Sequence, residues 1–260
     1  MIRRAFSILE LLIVILIICV LAAILFPVFA RAKDSSYKTS AISQAAQLGK
    51  GLLMYLDQND NKYLPSTNYG LPNESPEKLW TNGLYGYLKD KRVFIAPGSE
   101  GKFAETWEER SFATLGYSSA TAVDPVKGCS DKLKDSSGCL AFKTAADFDK
   151  GDSPSQIALL ATTPGGELAK KYLGYEFSPY NGTPNPEKMK FSPPLTSDRD
   201  LVKELGEFQA AELIKPVLAR YNATGHDDGE TPLIFADGHA KMFSAKSIQG
   251  MLAGIVWRFR

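Results

Sequence analysis

The chain has 260 residues, with 30 Lys and Arg against 29 Asp and Glu, and a net charge of +1. That balance excludes the basic excess of a nucleic-acid binder, and 44% hydrophobic with 23% charged residues excludes wholesale disorder. Three Cys and two His without a close cluster leave little room for a structural zinc site.

The apolar residues are concentrated at the start, where residues 1–30 read MIRRAFSILELLIVILIICVLAAILFPVFA. From Phe6 to Phe26 only Ser7 and Glu10 are not apolar. As a helix this stretch is about 30 Å long, enough to cross the hydrocarbon core of a bilayer. Arg3, Arg4 and the α-amino group precede it, so that end stays in the cytoplasm and the rest crosses the membrane. One reading is a cleaved secretory signal ending at Ala30-Arg31-Ala32, but such apolar regions run to about 7–15 residues. A second reading is a plain anchor for an extracytoplasmic enzyme or binding protein. That reading leaves Glu10 without a purpose, since a carboxylate costs roughly 2.5–3.5 kcal/mol at the bilayer centre.

A third reading comes from Arg4-Ala5-Phe6-Ser7-Ile8-Leu9-Glu10. It resembles the processing signal of type IV pilins and type II secretion pseudopilins. The resemblance implies cleavage between Ala5 and Phe6 by a prepilin peptidase, with Ala5 in place of the commoner Gly. It also implies N-methylation of Phe6, Glu10 as the fifth mature residue, and a helix kink at Pro27. The implied protein is a structural filament subunit and not an enzyme. Its partners are the peptidase, other pilin-like subunits through the N-terminal helix, an inner-membrane assembly platform and membrane lipid, with no nucleic acid. It sits in the inner membrane as a single-pass protein with its globular domain outside the cytoplasm. Physically, the Glu10 carboxylate of one subunit can pair with the Phe6 amine of its neighbour. Each charge, buried alone, is costly, so wrong registers are penalised.

After Pro27 the pattern turns amphipathic. Tyr37, Ala41, Ala45, Leu48, Leu52 and Tyr55 recur at helical spacing on one face of residues 31–56. Pro27 removes one backbone hydrogen bond, so a kink or local melt is expected there. Gly49 and Gly51 are expected to weaken the helix slightly. Asp57-Gln58-Asn59-Asp60-Asn61 supplies turn formers to end it. The expected organisation is a leader at 1–5, a membrane and assembly helix at 6–30, an amphipathic half-spine at 31–58 and a globular domain at 59–260. The fold class is α+β, a long helical spine packed on an antiparallel sheet.

Within the domain, Ser75-Pro76 predicts a helix start, with Leu79, Trp80, Leu84, Tyr87 and Leu88 as its contacts. Residues 93–96, 115–123 and 156–162 read as strands, 176–197 as a long loop, and 198–214 as a helix capped by Ser197. Residues 233–243 read as a hairpin, with Asp237-Gly238 as a two-residue type I′ turn. That hairpin resembles the C-terminal element of a bacterial pilin-like group, in which His is followed nine residues later by Asp-Gly. Here His226 has ten intervening residues. Residues 79–97 resemble the middle of the same group, with Ala96 where Cys is common.

No nucleophile elbow, phosphate loop, dinucleotide fingerprint, zinc-protease motif or Cys-x-x-Cys is present. No cofactor is expected. Asp57, Asn59 and Asn61 alternate as in a calcium loop, and secretion pseudopilins often bind calcium. Lys62 and Asn68 occupy the places of the loop Gly and the final Glu, so the segment reads as a turn. His226 with Asp227 and Asp228 reads as a solvated loop. Cys129 and Cys139 bracket a short polar loop and are a candidate disulfide if the domain lies in an oxidising compartment.

Overall fold

The computed structural model describes residues 8–121, 123–124, 128–129, 153–165, 174–177, 195–196, 217–223, 228–249 and 254–255. The helix expected at 198–214 and the loop at His226 lie outside these residues.

Helix α1 (Ile8–Gln58) is a single element of 51 residues. Pro27 lies inside it and the helix continues through, so the expected local melt does not occur. One missing donor is tolerated because the flanking turns remain hydrogen-bonded. Ala41, Ala45, Leu48, Leu52 and Leu56 form the buried stripe of its second half. Tyr55 is at the edge of this stripe, where its ring meets Tyr87 at 6.0 Å. Gly49 and Gly51 are buried as well. The expected turn formers do end the helix. Asn59 donates its amide to the Tyr55 carbonyl at 2.8 Å, and Asp60 and Asn61 are left-handed, at φ 54° and 57°.

The helix predicted from Ser75 is split in two. Pro76–Lys78 is a 3-10 turn, and α2 (Trp80–Leu88) follows after an extended Leu79. Leu79 is drawn out because it bridges Thr67, while the Trp80 amide donates to the Ser66 carbonyl. Ser75 makes no side-chain cap bond. The strand predicted at 93–96 is a correction too, since Lys91–Phe94 is a 3-10 turn. Asp90 caps it by accepting from the Arg92 amide at 2.9 Å, and Val93 and Phe94 are buried side by side instead of alternating.

The strands are β1 (Leu115–Ser118), β2 (Val123–Asp124), β3 (Gly128–Cys129), β4 (Ala158–Thr162), β5 (Glu176–Phe177), β6 (Leu195–Thr196), β7 (Val217–Leu218), β8 (Glu230–Phe235) and β9 (Ala240–Ser244). The main sheet runs β5-β1-β4-β8-β9. It is mixed and not purely antiparallel, because β5 pairs parallel with β1. The pairs β2–β3 and β6–β7 stand apart. The strand predicted at 115–123 is broken after Ser118. There the Thr121 hydroxyl donates to the Ser118 carbonyl and accepts from the Ser66 amide, both at 2.8 Å. The loop predicted at 176–197 carries β5 and β6 at its two ends.

One face of the sheet packs on α1. Leu48, Leu52 and Leu56 meet Leu115, Tyr117, Leu160 and Ile234, with Trp80, Phe94 and Phe103 closing the side. The other face carries Phe177, Val217, Leu233 and Phe235 against Ala245 and Ile248 of the short helix α3 (Ala245–Gln249). A register shift between Ala158 and Leu160 breaks the alternation of β4, so Leu159 and Leu160 both join the core beneath α1.

Buried phenols give this core a pH limit. Burial, and secondarily Asp237, pushes the Tyr63 hydroxyl up to about 12 from its usual 10.0. Burial also raises Tyr117, Tyr175 and Tyr221. Each folded value lies above the unfolded one, so the unfolded chain loses these protons first. Their contribution is complete below pH 10 and lost as pH rises through the folded values. In an alkaline titration, phenolate absorbance and loss of near-ultraviolet circular dichroism are therefore expected to rise together. Buried phenols that ionised near pH 10 with the fold intact would contradict this.

Candidate assembly helix and hairpin turn

The first half of α1 is unlike the second. Its large apolar side chains from Ile8 to Phe29 are exposed, among them Leu12, Ile15, Leu21 and Phe26. Among the described residues this is one helix long and apolar enough to cross a membrane. Such a surface is stable only against lipid or against other apolar helices. Glu10 stands in its first turn. Pro27 lies near the end of the apolar run, and Cys19 is a free thiol within it. Ala5 and Phe6 fall outside the described residues. The backbone of Cys129 belongs to β3, while its side chain and all of Cys139 also fall outside.

The hairpin forms where it is predicted, with Leu233 opposite Lys241 and Ile234 opposite Ala240. Its turn differs. The Phe235 amide donates to the His239 carbonyl and the Gly238 amide to the Phe235 carbonyl, both at 2.9 Å. The loop is therefore three residues long, Ala236-Asp237-Gly238, and only Gly238 is left-handed, at φ 80°. A type I′ turn needs positive φ at both central residues, so that assignment is corrected to the three-residue loop with a glycine bulge. Asp237 has a different task. Its Oδ1 accepts from the His239 amide at 3.1 Å and lies 2.5 Å from the His239 Nδ1. The imidazole in turn stacks on Phe235 at 4.3 Å.

The turn is tied to the domain on both sides. The Ala236 amide donates to the Ile157 carbonyl at 2.9 Å, and the Tyr63 hydroxyl donates to the Ala236 carbonyl at 3.2 Å. Lys38 of α1 forms an ion pair with Glu230 at the far end of β8. The sequence reading missed Gly49, whose place against this turn is visible only in three dimensions. Gly238→Val is expected to destabilise the domain by about 1–3 kcal/mol from backbone strain alone. Its Cβ would also lie 2.7 Å from the Leu53 side chain. Urea unfolding of the full chain in detergent checks this, and an unchanged midpoint would contradict it.

The exposed apolar half-helix and the spine-bound sheet can be set beside known proteins. No family model matches the chain, and no solved structure matches it at a significant level. It is similar to the type II secretion system core protein G of Escherichia coli (strain K12). The identity is 32% over 114 residues, covering 39% of this chain and 77% of that protein. On this match the chain belongs to the family of the type II secretion system core protein G.

Proposed function

We propose that the protein is a pseudopilin-like structural subunit of a type II secretion or type IV pilus-like filament. A prepilin peptidase removes residues 1–5, Phe6 is N-methylated, and the subunit waits in the inner membrane with its domain on the far side. An assembly platform then draws it into a filament through α1. The observation that carries this reading is the division of α1. A bilayer-long apolar half is exposed, and the same helix continues without a break as the core of the domain. The similarity to core protein G supports it independently.

Glu10 meets the Phe6 amine of a neighbouring subunit in the filament. Intact mass and N-terminal sequencing of native protein are expected to give a methylated Phe6 start. An intact Met1, or a start beyond residue 30, would refute the reading in favour of an anchor or a secretory signal. Glu10→Leu is expected to leave cleavage and insertion intact, since the substitution improves the segment as a membrane span. Incorporation into filaments is expected to fail. The neighbouring amine loses its partner, at a cost of roughly 3–5 kcal/mol per broken buried pair. Shearing of filaments from cells carrying the Leu variant measures this, and normal incorporation would exclude the pairing.

Export also bears on Cys129 and Cys139. In an oxidising compartment the two form a disulfide, which contributes about 3 kcal/mol at most in the chain-entropy model. Non-reducing peptide mapping of the exported protein is expected to recover the linked pair. Two free thiols there would show an open loop.

A further inference from the structure

The two glycines of the spine stand on opposite flanks of its buried stripe. Two residues apart, they are separated by about 160° across the arc that carries Leu48 and Leu52. Each flank is met by a different wall. A Cβ at Gly51 would lie 2.9 Å from the Leu88 side chain of α2. A Cβ at Gly49 would lie 1.9 Å from the Gly238 carbonyl oxygen and 2.9 Å from its carbon. The contact is reciprocal, because a Cβ at Gly238 would meet the Gly49 carbonyl at 2.9 Å and Leu53 at 2.7 Å. Helix backbone and turn backbone therefore touch with nothing between them, and the Gly49 hydrogen that replaces Cβ points at a carbonyl. A third glycine meets the same helix lower down. Gly98, at φ 74°, would place a Cβ 2.7 Å from the Tyr37 ring. Tyr37 lies twelve residues before Gly49, about 18 Å along the axis.

We infer that the Ala236-Asp237-Gly238 turn, seated on Gly49, is a clamp that fixes the rotation of the globular domain about the spine, with α2 on Gly51 as the opposing jaw. The jaws differ in stiffness. Leu88 is a flexible side chain that can yield to a methyl group, whereas the Gly238 carbonyl belongs to a turn already held through Ala236 and Asp237. A methyl group at 49 must therefore turn the helix or lift the hairpin. The use of the clamp rests on the assembly reading. Subunits that stack through α1 present a constant outer face only if the domain keeps one azimuth on that helix.

The test uses the full chain in detergent micelles and does not depend on assembly. Amide hydrogen exchange over residues 233–243 is compared for wild type, Gly49→Ala, Gly51→Ala and Leu53→Ala. Gly49→Ala is expected to speed exchange there by about tenfold or more and to lower the thermal midpoint. Gly51→Ala is expected to leave the hairpin protected. Leu53→Ala, which removes a contact and adds no bulk, guards against simple misfolding of Gly49→Ala and is expected to speed exchange in the hairpin alone. Unchanged exchange in Gly49→Ala, with the raised midpoint of an ordinary helical Gly→Ala change, would overturn the clamp, as would unchanged exchange in Leu53→Ala. Incorporation of the same variants into filaments, measured separately by cross-linking, tests the assembly reading and not the clamp.

Discussion

The stripe formed by Ala41, Ala45, Leu48, Leu52 and Leu56 is the surface against which the rest of the domain is arranged. Leu48 and Leu52 are fully buried, and the sheet, α2 and the 3-10 turn at Lys91–Phe94 all converge on them. The small residues at 41, 45, 49 and 51 matter as much as the large ones. They let the walls approach the helix backbone closely, as the Gly238 turn does at Gly49 and the Leu88 side chain at Gly51. Most helical stability in proteins comes from the packing of an apolar face, and the buried stripe of the second half of α1 supplies it here. The ion pair of Lys38 with Glu230 lies near the surface, with about a third of each side chain exposed. Such a pair contributes at most about 1 kcal/mol, so the apolar stripe outweighs it.

Much of this was legible in the sequence because helical and hairpin signals are local. The 3.6-residue spacing of Ala41, Ala45, Leu48 and Leu52 located the buried face, and the Asp57–Asn61 run located the end of the spine. The alternating apolar run at 233–243 located the hairpin. What could not be read were choices decided by distant partners. Residues 93–96 have the composition of a strand, yet among the described residues no strand pairs with them, and Asp90 accepts from the Arg92 amide to start a 3-10 turn. The turn type was misjudged because Asp-Gly fits two loop lengths. The register of Leu233 with Lys241 selects three residues. The place of Gly49 likewise depends on a distant partner. In isolation a helical glycine is a weakness, and only the hairpin, 189 positions on at Gly238, makes it a requirement.

The candidate site was legible unevenly. The apolar run, Glu10 and Pro27 stood out as departures from composition, and the structure places Glu10 in the first turn of the exposed half-helix. Pro27 shows the limit of reasoning from a single residue. Its missing donor removes one bond, yet helical structure runs on past it to Gln58.

Continuity does not make the two halves one energetic unit. Glu10 lies 27 residues before Tyr37, the lowest point at which a glycine turn of the domain meets the helix, a separation of about 40 Å. Substitutions that far apart, with no shared partner, act additively. The exposed half can therefore change without cost to the packing of the domain, and the packed half without cost to the exposed surface. The two halves share geometry alone. Both belong to one helix, and the domain meets it through the sheet packed on Leu48, Leu52 and Leu56 and through the Asp237-Gly238 turn at Gly49. The spine face and the turn that touches it are therefore mutually constrained, since neither Gly49 nor Gly238 has room for a Cβ.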